Sequence, residues 1–167
     1  MKIIKTPISD EDINDLKVGD KISLCGKMYC GRDAVLPKLV KAIDDGKEDQ
    51  FSFDFNGMAI MHTAVSDAGI APTTSNKVEI ESSIAPLSKS GVKFHIGKGS
   101  LSEDTIKNLN EFNSVFIITP PVAALLTNLV KSKKCVAYEN EGMEAFYELE
   151  VENIPGLVAV AHGESIF

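Results

Sequence analysis

Tryptophan is missing from the 167-residue chain, aromatic residues amount to only 7%, and cysteine occurs three times. So few rings leave little on which single-stranded bases can stack. The cysteines, Cys25, Cys30 and Cys135, form neither a CxxC motif nor a Cys/His pairing. That excludes a disulfide framework and a zinc site, and buried structural thiols are the plain reading. Positive charge is also short, with 17 Lys and Arg against 24 Asp and Glu and a net charge of −7. A chain this acidic lacks the clustered cations that nucleic acid or an anionic membrane needs, although a small anion needs only one local cluster. No long hydrophobic run is present. The most apolar stretch, residues 115–126, falls short of the ~20 residues of a membrane span and is interrupted by Pro120-Pro121. The first residues turn acidic by Asp10 without an apolar segment, so no signal peptide is expected and a reducing cytoplasm is the expected setting.

What is present is ordinary globular composition, 44% hydrophobic and 25% charged. This excludes a disordered chain, a collagen-like repeat and a coiled-coil rod. A domain is roughly 100–200 residues, and no repeat or composition shift marks an internal boundary, so residues 1–167 read as a single domain. Ser9-Asp10-Glu11-Asp12 is a capping signal for a short helix reaching Leu16. Residues 21–29 alternate as a strand, and Val35, Leu36, Leu39, Val40 and Ile43 recur at helical spacing, with Pro37 tolerated in the first turn. Residues 57–64 are a second strand, 66–76 a loop, 77–89 a helix weakened by Pro86, and 92–96 a strand. A helix opens at Ser102 and ends near Phe112, 114–118 is a strand and 121–130 a helix. Residues 134–138, 145–152 and 157–160 close the chain as three strands. Alternating strands and helices in the middle predict an α/β fold with parallel pairing.

Three loops after predicted strands each carry a cation: Arg32 in Tyr29–Asp33, Lys77 after Pro72-Thr73-Thr74-Ser75, and Lys98 in Gly97-Lys98-Gly99. Ligands of open α/β sheets collect at the carboxyl ends of parallel strands, and the three loops are expected to converge there. Arg supplies a planar fork for a carboxylate and Lys a point charge, and the hydroxyls of Thr73 and Thr74 add donors. The set suits a small dianion. Singly, each loop has a plainer reading: a turn with an exposed Arg, a helix cap, a flexible glycine turn. Gly97-Lys98-Gly99 is no phosphate-binding GxxxxGK[ST] motif. His62 and His95 fall within apolar strands as satisfied core residues, His162 falls in the last turn, and no Ser-His-Asp or Cys-His set assembles.

Order and context add specificity. Gly26-x-x-Tyr29-x-Gly31-Arg32-Asp33-Ala34, Pro72-Thr73-Thr74-Ser75, Ile96-Gly97-Lys98-Gly99 and Glu141-Gly142-Met143-Glu144-Ala145 follow one another over nearly the whole chain. The series resembles the beta subunit of class I fumarate hydratases and L-tartrate dehydratases, a unit that forms the C-terminal domain of single-chain iron–sulfur fumarases. The resemblance implies a swivelling β/β/α domain, with a mainly parallel central sheet, an additional antiparallel layer and helices. It implies a hydro-lyase that reversibly hydrates a small 2-hydroxy dicarboxylate of the fumarate/malate or tartrate type, active only with an alpha subunit. A [4Fe-4S] cluster ligated by that partner subunit, and not by this chain, would be the Lewis acid. Arg32 and Lys98 then match carboxylate-binding positions, Lys77 matches a substrate-binding Arg, and Thr73 and Thr74 match catalytic threonines, the first as proton acceptor.

The sequence also departs from the pattern. Lys77 stands where the family has Arg, Ser100 replaces a glycine, Pro120-Pro121 replaces a glycine pair, and no aromatic-Ala-Gly-Pro turn follows Ile60-Met61-His62. Arg to Lys at a bidentate site is not conservative. The alternative these changes leave open is a non-catalytic anion-binding or regulatory module that retains the fold.

Overall fold

The computed structural model describes residues 1–66, 69–70, 77–119 and 127–167, with the side chains of 66, 69 and 77–80 outside the description. The chain is a mixed α/β structure built on an eight-stranded sheet. β1 (Lys2–Lys5) leads to α1 (Asp10–Asn14), which Ser9 caps through a reciprocal box with Asp12. The capping box accounts for this short helix, since both orphan amides find side-chain acceptors. β2 (Lys21–Gly31) and α2 (Leu36–Asp44) follow, with Pro37 in the first turn as the sequence predicts. β3 (Ala59–His62) is followed by β4 (Val65–Ser66) and β5 (Gly69–Ile70), a short antiparallel pair lying mostly in the 66–76 stretch expected to be loop. α3 (Lys77–Lys89) matches the predicted helix, Pro86 included. β6 (Phe94–Gly97), α4 (Glu103–Glu111, capped by Ser102) and β7 (Val115–Ile118) also lie where patterning put them. The helix expected over 121–130 lies outside the described residues up to 126; residues 127–128 are helical, and Val130 already begins β8 (Val130–Ala137).

The two terminal strands expected at 145–152 and 157–160 are one continuous strand, β9 (Phe146–Ala161), followed by β10 (Glu164–Ser165). Asn153-Ile154-Pro155-Gly156 looks like a break because its residues favour turns. Here they form an irregularity instead. Asn153 adopts φ 59, its side-chain Oδ1 accepts from Ser23 Oγ at 3.2 Å, and its backbone amide donates to Cys25 Sγ at 3.4 Å. A bulge residue left out of the ladder is thereby satisfied by side chains. Gly156 is required there, because a Cβ would lie 2.5 Å from Ile117 Cγ2.

β2, β3, β6 and β7 are parallel neighbours, and β9 runs antiparallel to both β2 and β7. The pairings therefore close on themselves. Residues two apart on each strand share a face, and Ile22, Leu24, Met28, Cys30, Met61, Phe94, Ile96, Ile117, Leu149 and Val158 fill one buried cluster inside the closure. On the opposite face Tyr29, Ile60 and Phe146 pack with Leu36, Leu39 and Leu87 of α2 and α3, and Phe116 and Val160 pack with Leu109 of α4. Among the described residues no helix is long and apolar enough to cross a membrane.

Candidate functional site

The parallel strands end side by side. Gly31 pairs with His62, Met61 with Ile96, and Gly97 with Ile118. Arg32, Thr63, Lys98 and Thr119 therefore each follow the last residue of one of four neighbouring strands. Arg32 is fixed by its surroundings. Its carbonyl accepts from the amides of Val35 and Leu36, both at 3.0 Å, so the chain turns directly into α2. Gly31 before it has no room for a side chain, since a Cβ would meet Phe146 Cδ1 at 2.9 Å, Val35 Cγ2 at 3.0 Å and Leu36 Cδ2 at 3.2 Å. The Arg32 side chain is 31% exposed, and its Nε, itself buried, lies 3.7 Å from Glu144 Oε1. Lys98 is half-buried and makes no ion pair with a described residue.

Of the five residues singled out by sequence, Arg32 and Lys98 lie at the same end of the parallel strands. Lys77 opens α3, with its side chain outside the described residues. Thr73 and Thr74 lie outside the described residues altogether. A cavity of about 570 Å³ lies elsewhere, along the Gly26–Tyr29 part of β2, and is lined by Lys27, Tyr29, Phe53, Asp54 and Glu148 but by none of those five. Burial, with Glu148 and Asp54 nearby, pushes the Tyr29 phenol up to about 12.

Sequence reasoning took His62 and His95 as satisfied core histidines. Both are fully buried, with ring centroids 5.8 Å apart. His95 is held by Ser88 of α3, Oγ to Nε2 at 2.8 Å. Neither nitrogen of His62 has a partner among the described residues, which corrects that expectation. Burial pushes the His62 imidazole down to about 4 and, with His62 beside it, holds His95 well below the usual range, so both rings are neutral. His162 stitches the last turn to α1 and the residues after it, Nε2 lying 3.1 Å from the Ile13 and 2.9 Å from the Leu16 carbonyl oxygen.

The thiols do not converge. Cys30 is fully buried and its pKa is pushed up by desolvation, Cys25 contacts Asn153, and Cys135 lies on β8 beside the Ala137 carbonyl. Among the described residues no three His, Cys, Asp or Glu side chains are placed to hold a metal ion. Glu144 is the site-proximal residue that sequence reasoning quoted without a role. Its motif position was visible; its approach to Arg32 depends on a loop far along the chain.

Fold and site together describe a mixed α/β unit that gathers cations at the ends of parallel strands. The chain belongs to the fumarase C-terminus family, whose model matches residues 2–167. It is 33% identical to a putative L(+)-tartrate dehydratase subunit beta of Methanocaldococcus jannaschii, over 96% of this chain and 88% of that one. It is 28% identical to the anaerobic class I fumarate hydratase of Escherichia coli, over 89% of this chain but only 28% of the enzyme. With the L(+)-tartrate dehydratase subunit beta of Escherichia coli the identity is 32%, over 75% of this chain and 64% of that one.

Proposed function

We propose that the chain is the beta subunit of a hydro-lyase that reversibly hydrates a small 2-hydroxy dicarboxylate and is active with an alpha subunit in a hetero-oligomer. The observation that carries the reading is Arg32 and Lys98 following β2 and β6, the parallel strands on either side of β3, at one end of the sheet, within a chain of the fumarase C-terminus family. A fork and a point charge there grip the two carboxylates of a dianion. Lys77, opening α3, supplies a third cation, and Thr73 and Thr74 supply the hydroxyls next to the reacting carbon, Thr73 as proton acceptor. Removing a proton beside a carboxylate builds negative charge on it, which preorganised cations offset. The same cations lower the pKa a threonine hydroxyl needs to act as base.

The whole of residues 1–167 acts as one swivelling β/β/α domain in this reading, in the cytoplasm. The dispersed thiols of this chain do not fit a [4Fe-4S] cluster, which the reading assigns to the partner subunit. The test is anaerobic co-expression with the partner, followed by assay of fumarate, malate and tartrate and by iron and sulfide analysis of pair and isolated chain. Turnover by the pair alone, with iron only when the partner is present, is expected. Absence of turnover with every dicarboxylate would leave a non-catalytic module, and a stoichiometric cluster on the isolated chain would overturn the two-subunit reading.

A further inference from the structure

Glu144 ends a turn that several independent contacts hold in place. Gly142 adopts φ 62 and ψ −122, and its carbonyl accepts from the Ala145 amide at 3.0 Å and from the Tyr147 hydroxyl at 3.1 Å. Glu141 receives the Lys38 ammonium of α2 at 2.6 Å, and that ammonium also lies 5.3 Å from the centroid of the Tyr138 ring. Immediately after Glu144, Ala145 and Phe146 are buried, and Phe146 is the ring that leaves no room for a side chain at Gly31. Both ends of the Glu144–Arg32 contact are thus tied to one packed spot where β9, β2 and α2 meet.

The contact itself is one-sided. Glu144 Oε1 faces Arg32 Nε at 3.7 Å, and Nε is buried with no hydrogen bond to a described residue. A guanidinium has a side edge, which includes Nε, and an end edge of two terminal nitrogens, either of which presents a pair of N–H groups to a carboxylate. Glu144 takes the neighbourhood of Nε. The terminal nitrogens donate no hydrogen bond to any described residue, and Arg32 follows the last residue of β2 at the carboxyl ends.

We infer that Glu144 is a positioning residue: it holds the Nε side of Arg32 so that the terminal fork faces the substrate carboxylate. This rests on the proposed dicarboxylate site. Glu144 does not touch substrate and its effect passes through Arg32 alone. An ion pair this exposed contributes little by itself, so the effect is modest and falls on binding.

The test combines kinetics of the two-subunit enzyme with nitrogen-15 NMR of the Arg32 Nε–H in the isolated chain. Glu144→Ala should raise KM for the dicarboxylate about two- to fivefold, leave kcat within about twofold, and broaden or shift the Arg32 Nε–H signal. Glu144→Gln, which keeps an oxygen facing Nε beyond hydrogen-bond distance but loses the charge, should restore only part of both. In an Arg32→Ala background, Glu144→Ala should add nothing to KM. A lowered KM in Glu144→Ala would show that Glu144 competes with substrate, and an Nε–H signal indifferent to Glu144→Ala would show no positioning; either overturns the inference. If the pair turns over no dicarboxylate, the functional reading fails, while the Nε–H signal still decides whether Glu144 positions Arg32.

Discussion

Gly31→Ala adds one methyl group where the chain passes from β2 into Arg32, and the consequences can be worked out from distances. The new Cβ would stand 2.9 Å from Phe146 Cδ1, 3.0 Å from Val35 Cγ2 and 3.2 Å from Leu36 Cδ2. Phe146 and Val35 are fully buried and Leu36 is nearly so, and these neighbours come from β9 and the start of α2. With all three side chains buried, none can swing away into solvent, so the strand end, the helix or the ring must move. Overpacking of this kind costs about 1–3 kcal/mol. For a domain of this size each kcal/mol lowers Tm by about 2–4 °C, giving a drop of about 2–12 °C. The same displacement moves Arg32, so the assembled enzyme should also lose substrate affinity. The assays are a thermal melt of the isolated chain and KM of the pair. Phe146→Leu, destabilising by itself, should offset part of the Gly31→Ala loss in the double variant, since the two sites touch. Unchanged melting in Gly31→Ala, or strictly additive losses in the double variant, would refute the close-approach argument.

Arg32→Ala should reduce kcat/KM of the pair by roughly 10- to 150-fold, the worth of a hydrogen bond to a charged group of about 1.5–3 kcal/mol. Arg32→Lys should recover only part, and wild-type kinetics in the Ala variant would leave Arg32 a turn residue. Lys77→Arg should shift the kcat/KM ratio between fumarate or malate and other hydroxy dicarboxylates by on the order of tenfold. An unchanged ratio in a steady-state panel would show that Lys77 does not touch substrate. His62 is neutral and depressed to about 4 from an ordinary 6.5. The unfolded state therefore binds protons first on acidification, and the stability this histidine contributes is present above pH 6.5 and lost as pH falls toward 4. His62→Leu should flatten that acid limb in denaturant titrations between pH 7 and 4, with His95 retaining its own share. It should melt at or above wild type at pH 7, because the unpartnered ring nitrogens are gone. A fall of more than about 4 °C there, about 1 kcal/mol or more, would mean that the ring is held by a bond.

Local chemistry was legible in the sequence wherever neighbours along the chain decide the outcome. Ser9 and Asp12 form their capping box, Ser102 caps α4, residues 77–89 form the expected helix α3, and the strand–helix alternation yields the parallel strands β2, β3, β6 and β7. Gly31-Arg32 and Gly97-Lys98 could be placed after strands for the same reason, and Glu141–Ala145 could be quoted as a motif. Only tertiary structure decided the rest. Asn153-Ile154-Pro155-Gly156 reads locally as a break, yet Ser23, Cys25 and Ile117 turn it into a bulge inside one 16-residue strand. β1, only four residues long, gains its identity from the parallel register Lys2 to Ile22. That no described residue partners His62 depends on packing around the strand, which periodicity does not encode. The approach of Glu144 to Arg32 spans more than a hundred residues of chain. It exists because β9 returns beside β2 and sets Phe146 against Gly31, a closure that residue spacing along the chain does not specify.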